Sequence, residues 1–316
     1  MTPKAESPGF EPEIENRHLS PGMLLFGVLL CVVFGANAIA IKVSLQGVGP
    51  LTAAGLRFGL ASLAIGLWAH TTGEPLRVPP NRTRALLILS AIFVVQLGLF
   101  YLGLNLTYAS RAILVSNLMP FILLILAHYF IPGDRITGRK VVGMVLGFSG
   151  LLFVVLEKPT SGVGGLRAGD LLVLGSAGLW AVSAVFIKRI SPYYTSYHLS
   201  VYPMVFSFPL FLLAGFFSDG GMVRHLDVPV VAALFYQVFT ASFGSVGWNH
   251  LLKNYGATSL HTLVFIMPVV GVLLGGTVLG EPITRHIFLS MVLVAAGILI
   301  ANLKHPTPTA PFRPQL

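Results

Sequence analysis

Aromatic and uncharged polar residues recur at helical spacing along the apolar stretches of this 316-residue chain. Ser176, Trp180, Ser183 and Ile187 stand at i, i+4, i+7 and i+11, so one helix face would carry all four. Leu30, Phe34, Asn37 and Ile41 repeat that arrangement. Asn117, Phe121, Leu124 and His128 form a third stripe, and Thr258, His261, Phe265 and Pro268 a fourth. Gln237, Gly244 and Trp248 share one face of a further segment, with Ser242, Ser245 and Asn249 on a second that partly overlaps it. His198 and Tyr202 are one turn apart, and Gln96 and Tyr101 fall in another segment. Gln96 and Asn105 are nine residues apart, on opposite faces, so only one of them can point to a shared cavity. Amides, hydroxyls and rings in this pattern recognise rather than react. They can meet an ammonium and a carboxylate by hydrogen bonds and stack on an aromatic ring. The competing reading of each single residue is a hydrogen bond between helices.

Two prolines and two cations add to this set. Pro120 and Pro268 each remove a helix hydrogen bond and free the carbonyl four residues back, at Ser116 and Val264. Arg57 and Lys42 are the deepest charges. Arg57 could contact a substrate carboxylate, and the alternative is that both side chains snorkel to the membrane interface. All 11 acidic residues lie in tails, loops or span ends. A proton-coupled pump needs a group that titrates inside the membrane. The expectation is therefore an uncoupled facilitator, with His261 the one remaining candidate to carry protons. No phosphate loop or metal-ligand spacing occurs, and no cofactor is expected.

The elements that must position these residues are transmembrane helices. The chain is 55% hydrophobic and 10% charged, against about 25% charged in soluble proteins. Segments 22–45, 51–70, 84–105, 108–130, 138–156, 169–188, 197–217, 228–252, 257–279 and 284–303 each supply the ~20 apolar residues that a span needs. Turn chemistry separates them, as at Gly49-Pro50, Asp219-Gly220-Gly221 and Gly280-Glu281-Pro282. The gap at 105–108 is the weakest boundary. Placing the N-terminus in the cytoplasm puts most of the 20 Lys and Arg on that side, so both termini are expected inside. The net charge of +9 then reflects topology and not nucleic-acid binding. Residues 1–20 and 305–316 read as polar tails, and the single cysteine, Cys31, excludes an intrachain disulfide.

The chain also repeats itself. Phe34-Gly-Ala-Asn37-Ala38 with Ile41-Lys42 matches Trp180-Ala-Val-Ser183-Ala184 with Ile187-Lys188, 146 positions on. Met119-Pro120 matches Met267-Pro268 at 148, and Asp134-Arg-Ile-Thr137 matches Glu281-Pro-Ile-Thr284 at 147. Units 21–157 and 168–304 would each contain five spans. An odd number forces the second unit to enter the membrane upside down, the usual scaffold of alternating access with a site at the midplane. The predicted fold is an all-α membrane protein of ten transmembrane helices, two inverted five-helix repeats around a central cavity. Helices one, three, four, six, eight and nine would form its wall, two and seven its gates. Helices five and ten would stay peripheral. Glycine strips such as Gly143, Gly147 and Gly150 read as packing.

In these features the sequence resembles the drug/metabolite transporter superfamily, in its ten-helix EamA branch. The residues that carry the likeness are the doubled aromatic and small-residue pattern, Leu56-Arg57-Phe58, Pro120 and Pro268, and Gly280-Glu281-Pro282-Ile283-Thr284. The first half departs from it with Gly133-Asp134-Arg135-Ile136-Thr137. Within the branch it looks most like the bacterial aromatic amino-acid exporters (YddG-like). The resemblance implies a facilitator or exporter of small molecules in a bacterial inner membrane, with the lipid bilayer as its surroundings and an oligomeric state that a monomer would satisfy. A proton-coupled drug or metabolite pump is the alternative. Gly147-Phe148-Ser149-Gly150 also has the form seen in intramembrane serine proteases, a remote rival, since packing already accounts for its glycines.

Overall fold

Proline and polar caps set the helix starts. In a computed structural model that describes residues 20–79, 82–130, 136–155, 167–190, 193–254 and 262–302, α1 (Pro21–Ser44) begins on Pro21, with the Ser20 hydroxyl accepting from the Met23 amide. Proline has no amide to leave unsatisfied in a first turn, which suits it to that position. The same device opens α2 (Pro50–Thr71) at Pro50. After α3 (Thr83–Leu106) the chain is extended at Thr107, and α4 (Ala109–Ser116) starts two residues later. The boundary expected at 105–108 is therefore real.

The expected span 108–130 is two helices. α4 ends at Ser116, a turn follows at Asn117-Leu118, and α5 (Met119–Phe130) resumes. Then come α6 (Gly138–Val155), α7 (Ala168–Ile190) and α8 (Ser196–Ser218). The expected span 228–252 is α9 (Val228–Phe239), a π-helical segment (Thr240–Gly244) and α10 (Ser245–Asn254). A 3₁₀ turn (Thr262–Phe265) leads into α11 (Ile266–Leu279), and α12 (Arg285–Asn302) ends the described chain. Among the described residues the β-pairing is one isolated bridge, Val48 with Val223. Among the described residues seven helices are long and apolar enough to cross a membrane: α1, α2, α3, the α4–α5 unit, α7, α8 and Val228–Trp248. Ile266–Leu279 and Arg285–Ala301 are shorter apolar helices. The chain is an all-helical membrane protein.

Packing partners come in sets that exchange when α1–α6 is swapped with α7–α12. α6 lies against α12 and α2 against α8. α3 lies against α7 as α9 lies against α1, and α4–α5 against α7 as α11 against α1. α6 and α12 approach closely, and a Cβ on Gly143 would sit 2.6 Å from the Ala301 Cβ and 2.6 Å from the Gly297 oxygen. We expect Gly143→Val to force these helices apart and cost about 1–3 kcal/mol, read as a lower melting temperature in detergent. On α2, Gly55 and Gly59 pack on Leu212 and Phe208 of α8, whereas a Cβ on Gly66 would meet nothing within 4 Å.

Candidate functional site

Lipid-facing and inward-facing residues separate cleanly on α7. Leu171, Gly175 and Val182 are exposed along one stripe, the face that would meet lipid. Trp180 projects from the opposite side, nine residues from Leu171 and two from Val182. Its neighbours on that side, Ser176, Ala177, Ala181 and Ser183, are buried, yet Trp180 is 48% exposed. The ring is thus left uncovered in the middle of a buried arc. The equivalent face of α1 carries Phe34 and Asn37, opposite exposed Leu25, Leu29 and Val32. The Asn37 Oδ1 is buried without a hydrogen-bond partner.

Phe34 meets Trp248 of α10 edge-on, with ring centroids 6.0 Å apart. The ring sits over Gly244, where any side chain would press on Phe34. Nearby, Phe243 stacks on Trp68 at 6.2 Å and on Phe239 at 5.1 Å, so the π-helical turn presents a row of rings. A π turn inserts one residue into an α-helix and often marks a functional position. The apolar pattern gave no sign of it.

A polar chain links four helices closer to the face where α1 ends and α2 begins. The Gln237 amide donates to the Ser44 hydroxyl at 2.9 Å and to the Ala40 oxygen at 3.3 Å. Its oxygen accepts from the Tyr101 hydroxyl at 2.8 Å. Arg57 Nη1 in turn donates to the Tyr101 oxygen at 3.4 Å. Tyr101 and Gln237 are both fully buried. The structure thus joins three predicted residues, Arg57, Tyr101 and Gln237, and adds Ser44, which the sequence reading missed. Arg57 does not snorkel, since it is only 8% exposed.

Other predicted residues are satisfied elsewhere. Gln96 is buried while Asn105 is exposed, which settles which of the pair points inward. The Asn117 amide donates back to the Ile113 oxygen at 2.8 Å, and the Ser242 hydroxyl to the Val238 oxygen at 2.7 Å. The Tyr202 hydroxyl reaches across to the Leu76 oxygen at 3.0 Å and ties α8 to the α2–α3 loop. Lys42 Nζ is held at 2.6 Å by the oxygens of both Leu104 and Thr107. Phe121 is fully buried beneath Gly147. Pro120 and Pro268 do not kink continuous helices. Each falls in the first turn of a helix, α5 or α11, and the break lies just before it. His261 and the Phe265 side chain lie outside the described residues.

Three carboxylates act at the same α1–α2 face, each from the second half onto the first. Asp219 accepts from the Thr52 amide at 2.8 Å and its hydroxyl at 2.7 Å, across the start of α2. A Cβ on Gly49 would collide with that carboxylate. Glu281 does the same for α4, accepting from the Ala109 amide at 2.6 Å, the Ser110 amide at 2.9 Å and the Ser110 hydroxyl at 2.6 Å. Each carboxylate satisfies free amides at the positive end of a helix. Asp170 pairs with Arg111 at 2.6 Å and accepts from Thr107 Oγ1 at 2.7 Å. Loop 45–49 also pairs with the α8–α9 loop, Arg224 donating to the Gly47 oxygen at 2.8 Å and Gly49 to the Met222 oxygen at 3.1 Å. In the sequence Asp219 and Glu281 read as turn residues, and Arg111 falls at the start of the expected span 108–130 with no partner apparent. The available signal was a hydroxyl residue in the first turn of each receiving helix.

The same halves appear in comparisons with known proteins. The EamA-like transporter family matches residues 21–156 and again residues 167–303. The chain is 29% identical over 290 residues to the "Probable amino-acid metabolite efflux pump" of Escherichia coli, covering 87% of this chain and 93% of that one. It is 28% identical to the protein of the same description in Salmonella typhimurium, over 86% of this chain and 92% of that one. An uncharacterised transporter of Archaeoglobus fulgidus is 30% identical over 86% of this chain and 95% of its own. A solved crystal structure shares the fold, with a TM-score of 0.68 at 18% identity, covering 89% of this chain and 97% of that one. The chain thus carries two copies of one helical unit, and it belongs to the EamA-like transporter family.

Proposed function

We propose that this transporter exports amino acids, preferentially aromatic and other neutral ones, by alternating access as an uncoupled facilitator of loose selectivity. The observation that carries the reading is the half-exposed Trp180 ring on a face it shares with buried Ser176 and Ser183, matched on α1 by Phe34 and by Asn37 with its unpartnered oxygen. Rings beside neutral polar groups suit a solute with an aromatic or apolar body and a zwitterionic head. Relatives described as amino-acid metabolite efflux pumps favour the same cargo.

The exchange symmetry of helix packing supports ten spans in two inverted five-helix repeats, units 21–157 and 168–304. The excess of Lys and Arg on one side supports cytoplasmic termini, in a bacterial inner membrane. The carboxylate latches then lie outside, which favours a conformation closed outward and open inward. Lack of coupling is argued from the acidic residues. Asp170, Asp219 and Glu281 sit at helix ends and are each engaged by amides, hydroxyls or Arg111.

The test is flux in proteoliposomes. Labelled L-phenylalanine, L-leucine and a flat cationic dye are loaded inside, and efflux is followed with and without a pH gradient. Downhill efflux of phenylalanine and leucine, saturable and insensitive to the gradient, is the expected result. Uphill accumulation driven by the gradient would replace the facilitator with a proton-coupled pump.

A further inference from the structure

We infer that Arg57 is the docking cation for a carboxylate on the transported solute, so that cargo is selected by a negatively charged end. This rests on the exporter reading only for the identity of the ligand.

The argument is one of elimination. Of the four Lys and Arg in α1–α4, Arg84 is exposed at the start of α3, which leaves Lys42, Arg57 and Arg111. Arg111 is fully buried and paired with Asp170 at 2.6 Å. Lys42 spends its ammonium on two backbone oxygens at 2.6 Å. Arg57 has neither kind of partner. Among the described residues its guanidinium makes one long hydrogen bond, 3.4 Å, to the neutral Tyr101 hydroxyl. Its Nε is buried with no partner at all. The Phe58 ring, 5.1 Å from the guanidinium carbon, is its other polarisable neighbour. A guanidinium normally spends its five donors on planar anions. One that is more than nine-tenths buried and lacks an anion implies that the anion arrives with the ligand.

Position supports this. Arg57 is the eighth residue of α2, about 10 Å along the helix axis from its first residue. Tyr101 connects it to Gln237 of the second half, so the cation sits where the two halves meet. Gln237 also bonds to Ala40 and Ser44 on α1, and Asn37 lies one and two turns away along the same side of that helix. Its orphaned Oδ1 is an acceptor suited to the ammonium of the same solute. A carboxylate at Arg57 would complete the Arg57–Tyr101–Gln237 chain from its open end.

Two isosteres that differ only in charge test the assignment, 3-phenylpropanoate and 3-phenylpropanamide. Their binding to the purified full-length protein in phosphatidylcholine liposomes is read by intrinsic tryptophan fluorescence, alongside flux of labelled L-phenylalanine. The wild type should bind the carboxylate about 10–100-fold more tightly than the amide, the worth of a charge-assisted hydrogen bond. Arg57→Gln should abolish that preference, and Arg57→Lys should keep part of it. If Arg57→Gln does not fold, the wild-type preference and Arg57→Lys decide. Equal binding of the two isosteres by the wild type overturns the inference. So does an unchanged preference in Arg57→Gln. Loss of carboxylate binding when phosphatidylglycerol is added would assign the cation to a lipid phosphate and overturn it as well. Carboxylate binding with no phenylalanine flux would refute the exporter reading and leave the Arg57 assignment standing.

Discussion

Arg111→Leu, with Asp170 left in place, should lower the unfolding free energy by about 3–5 kcal/mol, because it strands a buried carboxylate. The pair is enclosed, with side chains 0% and 2% exposed and 2.6 Å between Nη2 and Oδ2. Arg111 also donates to the Val154 oxygen at 3.1 Å, so it ties α4 to both α6 and α7. Replacing both partners removes the charges together. Arg111→Leu/Asp170→Leu should therefore recover more than half of the loss, as buried pairs exchanged for apolar residues do. Unfolding in mixed detergent micelles, followed by helix content, measures both variants. Equal losses in the single and double variants would show that Arg111 stabilises through its other contacts and not through Asp170.

The second large effect concerns the α1–α2 face. Asp219→Asn with Glu281→Gln keeps the shapes of both caps and removes their charge. Hydrogen bonds to charged groups contribute roughly twice what neutral ones do. The loss of ~2 kcal/mol over the two caps should shift the balance towards opening at this face by roughly thirtyfold. A cysteine at Trp180, placed in a Cys31→Ala background, reports it. The wild-type latch should protect that cysteine from an impermeant maleimide added outside intact cells, and the charge-neutral latch should expose it. Unchanged labelling in the double variant would mean that these carboxylates do not hold the face shut. Thr52→Val removes one hydroxyl from the same latch and should give a smaller effect of the same sign.

The apolar segments were legible because lipid imposes a length and a composition that nothing else in the sequence mimics. The 3.6-residue period likewise sets Trp180 and Phe34 opposite the exposed apolar stripes of their helices. The breaks were not legible. Asn117-Leu118 and the π turn at Thr240–Gly244 leave the hydrophobic pattern unchanged, and Pro120 reads as a mid-span kink unless the end of α4 is already known. The latches were hidden for another reason. Asp219 lies 167 residues from Thr52 and Glu281 171 from Ser110, so each looks like a residue of its own turn. Arg111 stands two residues into its helix, where a cation looks like loop charge, and its partner is 59 residues away.

The latches also bear on the history of the chain. All three carboxylates belong to the second half, and the Thr52, Ser110 and Arg111 side chains that they hold across the seam belong to the first. The two units have become a matched pair of unlike pieces, although they still share one fold. Expressed as separate polypeptides, 1–157 and 158–316 should assemble with each other and not with themselves. Neither half carries both sides of these cross-contacts, so a pair made from two copies of one half would lack them.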